Sequence, residues 1–138
     1  PPRSTLFPYT TLFRSPPAMA GWDRTVHGGV LSTLLDEIMG WSVIYLLGKI
    51  GVTKTMTVEF LKPVQVETQL TVVGTIAETV SERQVVVGGE IHAQDGALCV
   101  RATGTFAAMT PQAAVRLGVM SNAYMERFLP VLHQKEQG

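Results

Sequence analysis

The apolar positions change period once along the chain, and the change separates one helix from a set of strands. From Gly29 to Gly48 nearly every helical face is apolar, with Leu31, Leu34, Leu35, Ile38, Met39 and Val43 among the residues that make it so. A helix apolar all round belongs in a core. Gly48, Lys49 and Gly51 mark its end. From Val52 the period becomes two. Met56, Val58 and Phe60 alternate with Thr53, Thr55, Thr57 and Glu59, which sets Thr53 on the face opposite Met56, and Lys62-Pro63 stops the strand. Glu67 to Val80 reads as a second strand with Leu70, Val72 and Ile76 on one face. Glu82 to Ala93 is a third, carrying Val85, Val87 and Ile91, and Ala97 to Met109 a fourth. Asp95-Gly96 between the last two is a hairpin signal. Gly88-Gly89 reads as a bulge and not as a phosphate loop, because no strand-to-helix transition follows it.

Strands joined by short turns imply an antiparallel sheet rather than βαβ units. The expected class is therefore α+β, with one long hydrophobic helix covering the sheet's concave face. Pro16 to Thr25 reads as loop. Pro111 ends the sheet, and Gln112 to Leu132 reads as one or two peripheral helices broken near Gly118 to Ser121.

Two carboxylates, Asp36 and Glu37, interrupt the apolar helix. A carboxylate in such a setting is costly unless it is paired, hydrogen-bonded or at work. The turn His27-Gly28-Gly29 opens the same helix, nine residues before Asp36. Glycine lets a ligand approach a helix N-terminus closely, where free N–H groups and the dipole favour developing negative charge.

Composition narrows the classes of function. The 138 residues suffice for one domain with a substantial core, and the formal net charge is zero, so no basic excess exists to meet nucleic acid. The single cysteine, Cys99, excludes an internal disulfide and fits a reducing compartment. Asp36 and Glu37 make the longest apolar stretch too interrupted for a membrane span, and no signal peptide is legible, so a cytoplasmic location without membrane partners is expected.

Residues 5 to 15, Thr-Leu-Phe-Pro-Tyr-Thr-Thr-Leu-Phe-Arg-Ser, match the in-frame translation of a common short-read sequencing adapter. Residues 1–15 are accordingly expected to be an assembly artefact in a sequence of metagenomic type. Residues 16–138 would then form one N-terminally truncated domain. An exposed sheet edge is the expected consequence.

The His-Gly-Gly turn, Asp36 nine positions after the histidine, Phe60-Leu61-Lys62-Pro63 at a strand end and Ala102-Thr103-Gly104-Thr105-Phe106 on the last strand carry a resemblance. Together they resemble the hotdog-fold acyl-CoA thioesterases of the 4-hydroxybenzoyl-CoA and phenylacetate-pathway type, over about residues 21–109. The resemblance implies a sheet wrapped around the helix and a homodimer or dimer of dimers. It also implies hydrolysis of acyl- or aryl-CoA to free acid and CoA, with no metal or prosthetic group. It assigns Gly28 as the N–H donor to the thioester oxygen, and Asp36 as nucleophile or general base. His27 and Gly29 belong to the same turn, and Thr53 stands where some members carry a site hydroxyl. Two positions depart from the family: Gly21 stands where Asn or Gln is common, six residues before the histidine, and Gly40 where a threonine can follow the acid. These departures leave a second reading open, a non-catalytic module that binds acyl-CoA.

The remaining candidates have plainer expected roles. Glu37 projects about 100° from Asp36 on a helix and suits a solvent-facing position. His27 suits a turn-fixing hydrogen bond better than a general base. His92 lacks partners at ligand spacing, and Cys99 suits a small strand hydrophobe. Arg24, Lys54, Lys62, Arg83 and Arg101 are scattered cations, expected at the surface.

Overall fold

The computed structural model describes residues 8–127 and 129–132. Helix α1 (Gly28–Leu47) ends at Gly48, whose φ of 67° is left-handed and whose N–H closes on the Ile44 carbonyl. Strands β1 (Tyr9–Arg14), β4 (Ile50–Phe60), β5 (Gln69–Ser81), β6 (Gln84–His92) and β7 (Leu98–Met109) form one antiparallel sheet in the order β1-β5-β6-β7-β4. A short hairpin, β2 (Ala20–Trp22) with β3 (Thr25–Val26), leads into the helix.

The sheet wraps α1. Leu35, Met39 and Val43 of the helix are wholly buried, as are Val72, Val87 and Phe106 of the sheet. Each such side chain contributes about 1.5–3 kcal/mol relative to exposure. Glycines set the seating distance: a Cβ at Gly89 would lie 3.1 Å from Leu35 Cδ2, and one at Gly74 would collide with Ser42 Oγ. By length and composition α1 could cross a bilayer despite its two carboxylates, contrary to the expectation from sequence. In this fold it is the sheet that covers its buried face.

Two further expectations are corrected. Gly88 and Gly89 pair in register with Thr75 and Gly74, so they make no bulge; the irregularity falls one pair on, between Ile76 and Glu78. The residues before α1 are not all loop, because β2 and β3 pair there, held by Val26 N–H to the Val64 carbonyl. The edge of β5 is not exposed: β1 pairs along it from Tyr9 opposite Gly74 to Arg14 opposite Gln69. Tyr9 stacks on Tyr45 of α1 with ring centroids 4.8 Å apart. The two edge strands of the sheet are β1 and β4.

After β7 the chain forms α2 (Pro111–Arg116), capped by the Thr110 hydroxyl, and α3 (Asn122–Met125), with the expected break between them. Residues 129–132 are again helical and bury Leu132.

Candidate active site

The start of α1 is built around an imidazole. His27 is the N-cap, and its Nδ1 accepts a hydrogen bond of 2.8 Å from the Gly29 N–H. An accepting Nδ1 carries no proton, so the neutral ring holds its proton on Nε2. The His27 N–H in turn donates to the Met19 carbonyl, which ties the turn to the residues before β2. The two glycines of the turn have different reasons to be there. A Cβ at Gly29 would stand 3.0 Å from both Nδ1 and Cε1 of His27, so the cap itself demands a glycine. A Cβ at Gly28 would meet only the Phe60 ring, at an ordinary 3.5 Å. The Gly28 N–H finds no acceptor among the described residues. It is one of the free donors every helix start leaves, at the positive end of the dipole.

Asp36 lies half-buried further along the same helix, and Thr53 Oγ1 donates a 2.6 Å hydrogen bond to its Oδ1. Regular alternation would point Thr53 away from the helix. A β-bulge corrects the phase: Thr53 pairs with Phe106 and Thr55 with Thr105, leaving Lys54 as a surplus residue. Residues directly opposite in a ladder share a face. Thr53 thus shares the inward face of buried Phe106, and Met56 that of Gly104, although Met56 stands an odd number of positions, three, after Thr53. Glu37 is exposed, at the rim of the same region.

Beside Asp36 and Thr53 opens a cavity of about 280 Å³. Gly40, Trp41 and Ile44 of α1 form one wall, Ile50 and Phe106 of the sheet another. Val119 and Met120 from the α2–α3 connection, with Tyr124, line its remaining side. No sequence signal placed these C-terminal residues here, because the contact is long-range and their apolar character is equally suited to packing under α1.

The structure brings Asp36 and Thr53 together but does not bring Gly28 to them. Eight residues of helix separate Gly28 from Asp36, about 12 Å along the axis. Gly28 sits by Phe60, at one end of β4, and Asp36 by Thr53, near the other.

Other candidates lie elsewhere. His92 Nε2 pairs with Glu90 at 3.0 Å, and Cys99 is buried with Sγ 3.5 Å from the Ala97 carbonyl. Arg101 grips Glu59 through Nε and an Nη at 3.1 and 3.2 Å, and the guanidinium holds that carboxyl below its ordinary range. Lys54 reaches Gln84 at 3.3 Å, while Lys49, Arg83 and Arg116 line a second cavity at the end of β7. No cluster of His, Cys, Asp and Glu suited to a metal occurs among the described residues.

The sequence profile of the thioesterase superfamily matches residues 24–100. A hypothetical thioesterase of Streptococcus pneumoniae TIGR4, solved with coenzyme A, superposes with a TM-score of 0.70 at 27% identity, covering 75% of this chain and 82% of that one. Structures of an Asp-to-Ala and a Thr-to-Ala mutant thioesterase from the same organism match equally well. Protein BH2602 of Bacillus halodurans with CoA matches with a TM-score of 0.64 at 29% identity, over 71% of this chain and 69% of that one. PaaI from the Escherichia coli phenylacetic acid degradation operon shares the fold with a TM-score of 0.68 at 20% identity, over 74% and 72% of the two chains. No curated protein matches the sequence.

Proposed function

Because the chain belongs to the thioesterase superfamily, we propose that it hydrolyses acyl-CoA or aryl-CoA thioesters to free acid and CoA. The observation that carries this reading is a half-buried carboxylate on a largely apolar helix, held by the Thr53 hydroxyl beside a cavity. The solved neighbours that carry coenzyme A support CoA as the substrate's handle.

In the proposed reaction the thioester oxygen takes the Gly28 N–H, which stabilises the tetrahedral intermediate. Such donors are typically worth about 100- to 1,000-fold in rate. Asp36 either attacks the carbonyl carbon, so that the tetrahedral intermediate expels CoA thiolate and leaves a mixed anhydride that water then opens, or takes a proton from the attacking water. Thr53 occupies Oδ1 and leaves Oδ2 for that work. His27 and Gly29 hold the turn that presents Gly28.

One chain keeps the two halves apart, so the proposed site is shared between two protomers. The open edge of β4 supports this, with Val52, Phe60 and Leu61 exposed along or beside it. Antiparallel pairing of two such edges about a two-fold axis would set the Gly28 end of one protomer over the Asp36 end of its partner. A homodimer, alone or doubled, therefore completes the site. The single cysteine fits a cytoplasmic enzyme, and the reading needs neither metal nor cofactor.

Hydrolysis of a panel of acyl- and aryl-CoA thioesters, with Asp36→Asn as control, tests the proposal; equal rates in the two proteins overturn it. In a single-turnover reaction in ¹⁸O water, label in the Asp36 carboxylate identifies direct attack with the anhydride opened at the aspartyl carbon. The second reading, a non-catalytic acyl-CoA-binding module, draws on Gly21 and Gly40 standing where relatives place polar side chains. Binding without turnover across the panel would favour it.

A further inference from the structure

We infer that Gly40 sets the size of the acyl group this protein accepts, by leaving open the part of the cavity that a side chain there would fill. The inference rests on the proposed placement of the acyl carbonyl at Asp36.

Glycine in the middle of a helix costs about 1 kcal/mol relative to alanine. At Gly29, Gly74 and Gly89 a reason is visible, because an added Cβ would press on His27, Ser42 or Leu35. At Gly40 a Cβ would meet nothing within 4 Å, and its φ is not positive. Neither packing nor backbone conformation accounts for it. What it does is border the same cavity as Asp36 and Thr53. As the fourth residue after Asp36 it lies on the same helix face, one turn on, with Ile44 one turn beyond. The cavity therefore runs about 12 Å along the helix from the acid. Its apolar walls are Trp41, Ile44, Ile50, Phe106 and Val119.

An acyl carbonyl held at Asp36 would send its substituent over Gly40 and between these walls. Their apolar character favours an uncharged group, and the open space over Gly40, in a groove of about 280 Å³, admits one as bulky as an aryl ring. Glu37 at the rim disfavours acyl groups ending in a carboxylate.

The test measures binding by calorimetry of two CoA thioethers that cannot be hydrolysed, phenacyl-CoA and acetonyl-CoA, to the full chain and to Gly40→Leu. Filling the space should weaken phenacyl-CoA by about tenfold or more, and acetonyl-CoA by less than about twofold. Gly40→Ala guards against a folding defect: it should melt higher than the parent, through helix propensity, and show a smaller loss of the same kind. Equal loss of both ligands, no loss of either, or no binding of phenacyl-CoA by the parent overturns the inference. Thioester hydrolysis is assayed in parallel. Turnover without this size dependence defeats the inference alone, whereas size-selective binding without turnover sustains it and defeats the enzyme reading.

Discussion

Thr53 reaches Asp36 because β4 is out of step with itself: the bulge at Lys54 brings the Thr53 hydroxyl to the face that carries Met56, 2.6 Å from Asp36 Oδ1. The bond orients the carboxylate and depends on the hydroxyl alone. Thr53→Val, close in shape, should lower kcat for thioester hydrolysis by about 10- to 100-fold, as loss of a supporting hydrogen bond does elsewhere. Thr53→Ser should restore most of it. Equal rates for Val and Thr would remove Thr53 from the mechanism.

The two glycines of the turn should separate stability from chemistry. Proline is tolerated at the first helical position, so Gly28→Pro should melt close to the parent while losing about 100- to 1,000-fold in kcat/KM with its N–H. Gly29→Ala presses on the imidazole that caps the helix and should cost about 1 kcal/mol of stability. Thermal melts and steady-state kinetics on both variants decide the matter. A destabilised Gly28→Pro that keeps its activity would reverse the assignment.

A shared site predicts complementation between dead proteins. Gly28→Pro and Asp36→Asn each spoil both sites of their own homodimer. Co-expressed in equal amounts they should recover about one quarter of the parent rate, because half the dimers are mixed and each mixed dimer holds one intact site. No recovery in co-purified heterodimers would place both halves of the site in one chain.

Residues 9–14 close the edge of β5 whatever their origin. Removing residues 1–15 would expose that edge and the Tyr45 ring beneath Tyr9. The shortened chain should self-associate beyond a dimer in light scattering, since open strands template pairing. A sharply melting dimer of residues 16–138 would show that the edge needs no cover.

On the outer face, the Arg101 guanidinium lowers the Glu59 carboxyl below its ordinary value, so the pair stabilises the fold only while Glu59 is charged. That stabilisation is complete above the ordinary carboxylate range and fades as pH falls through the lowered value. Melting curves of the parent and Arg101→Ala should therefore differ slightly at neutral pH and converge in acid. A gap that widens in acid would contradict the pairing.

How much could be read from sequence depended on repetition. α1 and the four long strands were legible because each repeats an apolar face several times: Leu35, Met39 and Val43 along the helix, Val85, Val87 and Ile91 along β6. β2 and β3 are too short to repeat anything. The facing of Thr53 was hidden because one unpaired residue reverses parity without altering composition, so the period pointed it the wrong way. Val119 and Met120 joined the cavity through a tertiary contact that no local pattern encodes.

Lys54 is also the link where this chain can shorten. A codon lost there removes a residue whose backbone has no ladder partner, together with its side-chain bond to Gln84, and Thr53–Phe106 and Thr55–Thr105 can then close into an unbroken ladder with every side chain on its present face. A codon gained there has no such slack, and forces either a wider loop or a slip that carries Thr53 away from the acid. Length drift in this sheet is thus directional, with contraction costing one surface hydrogen bond and expansion disturbing the site.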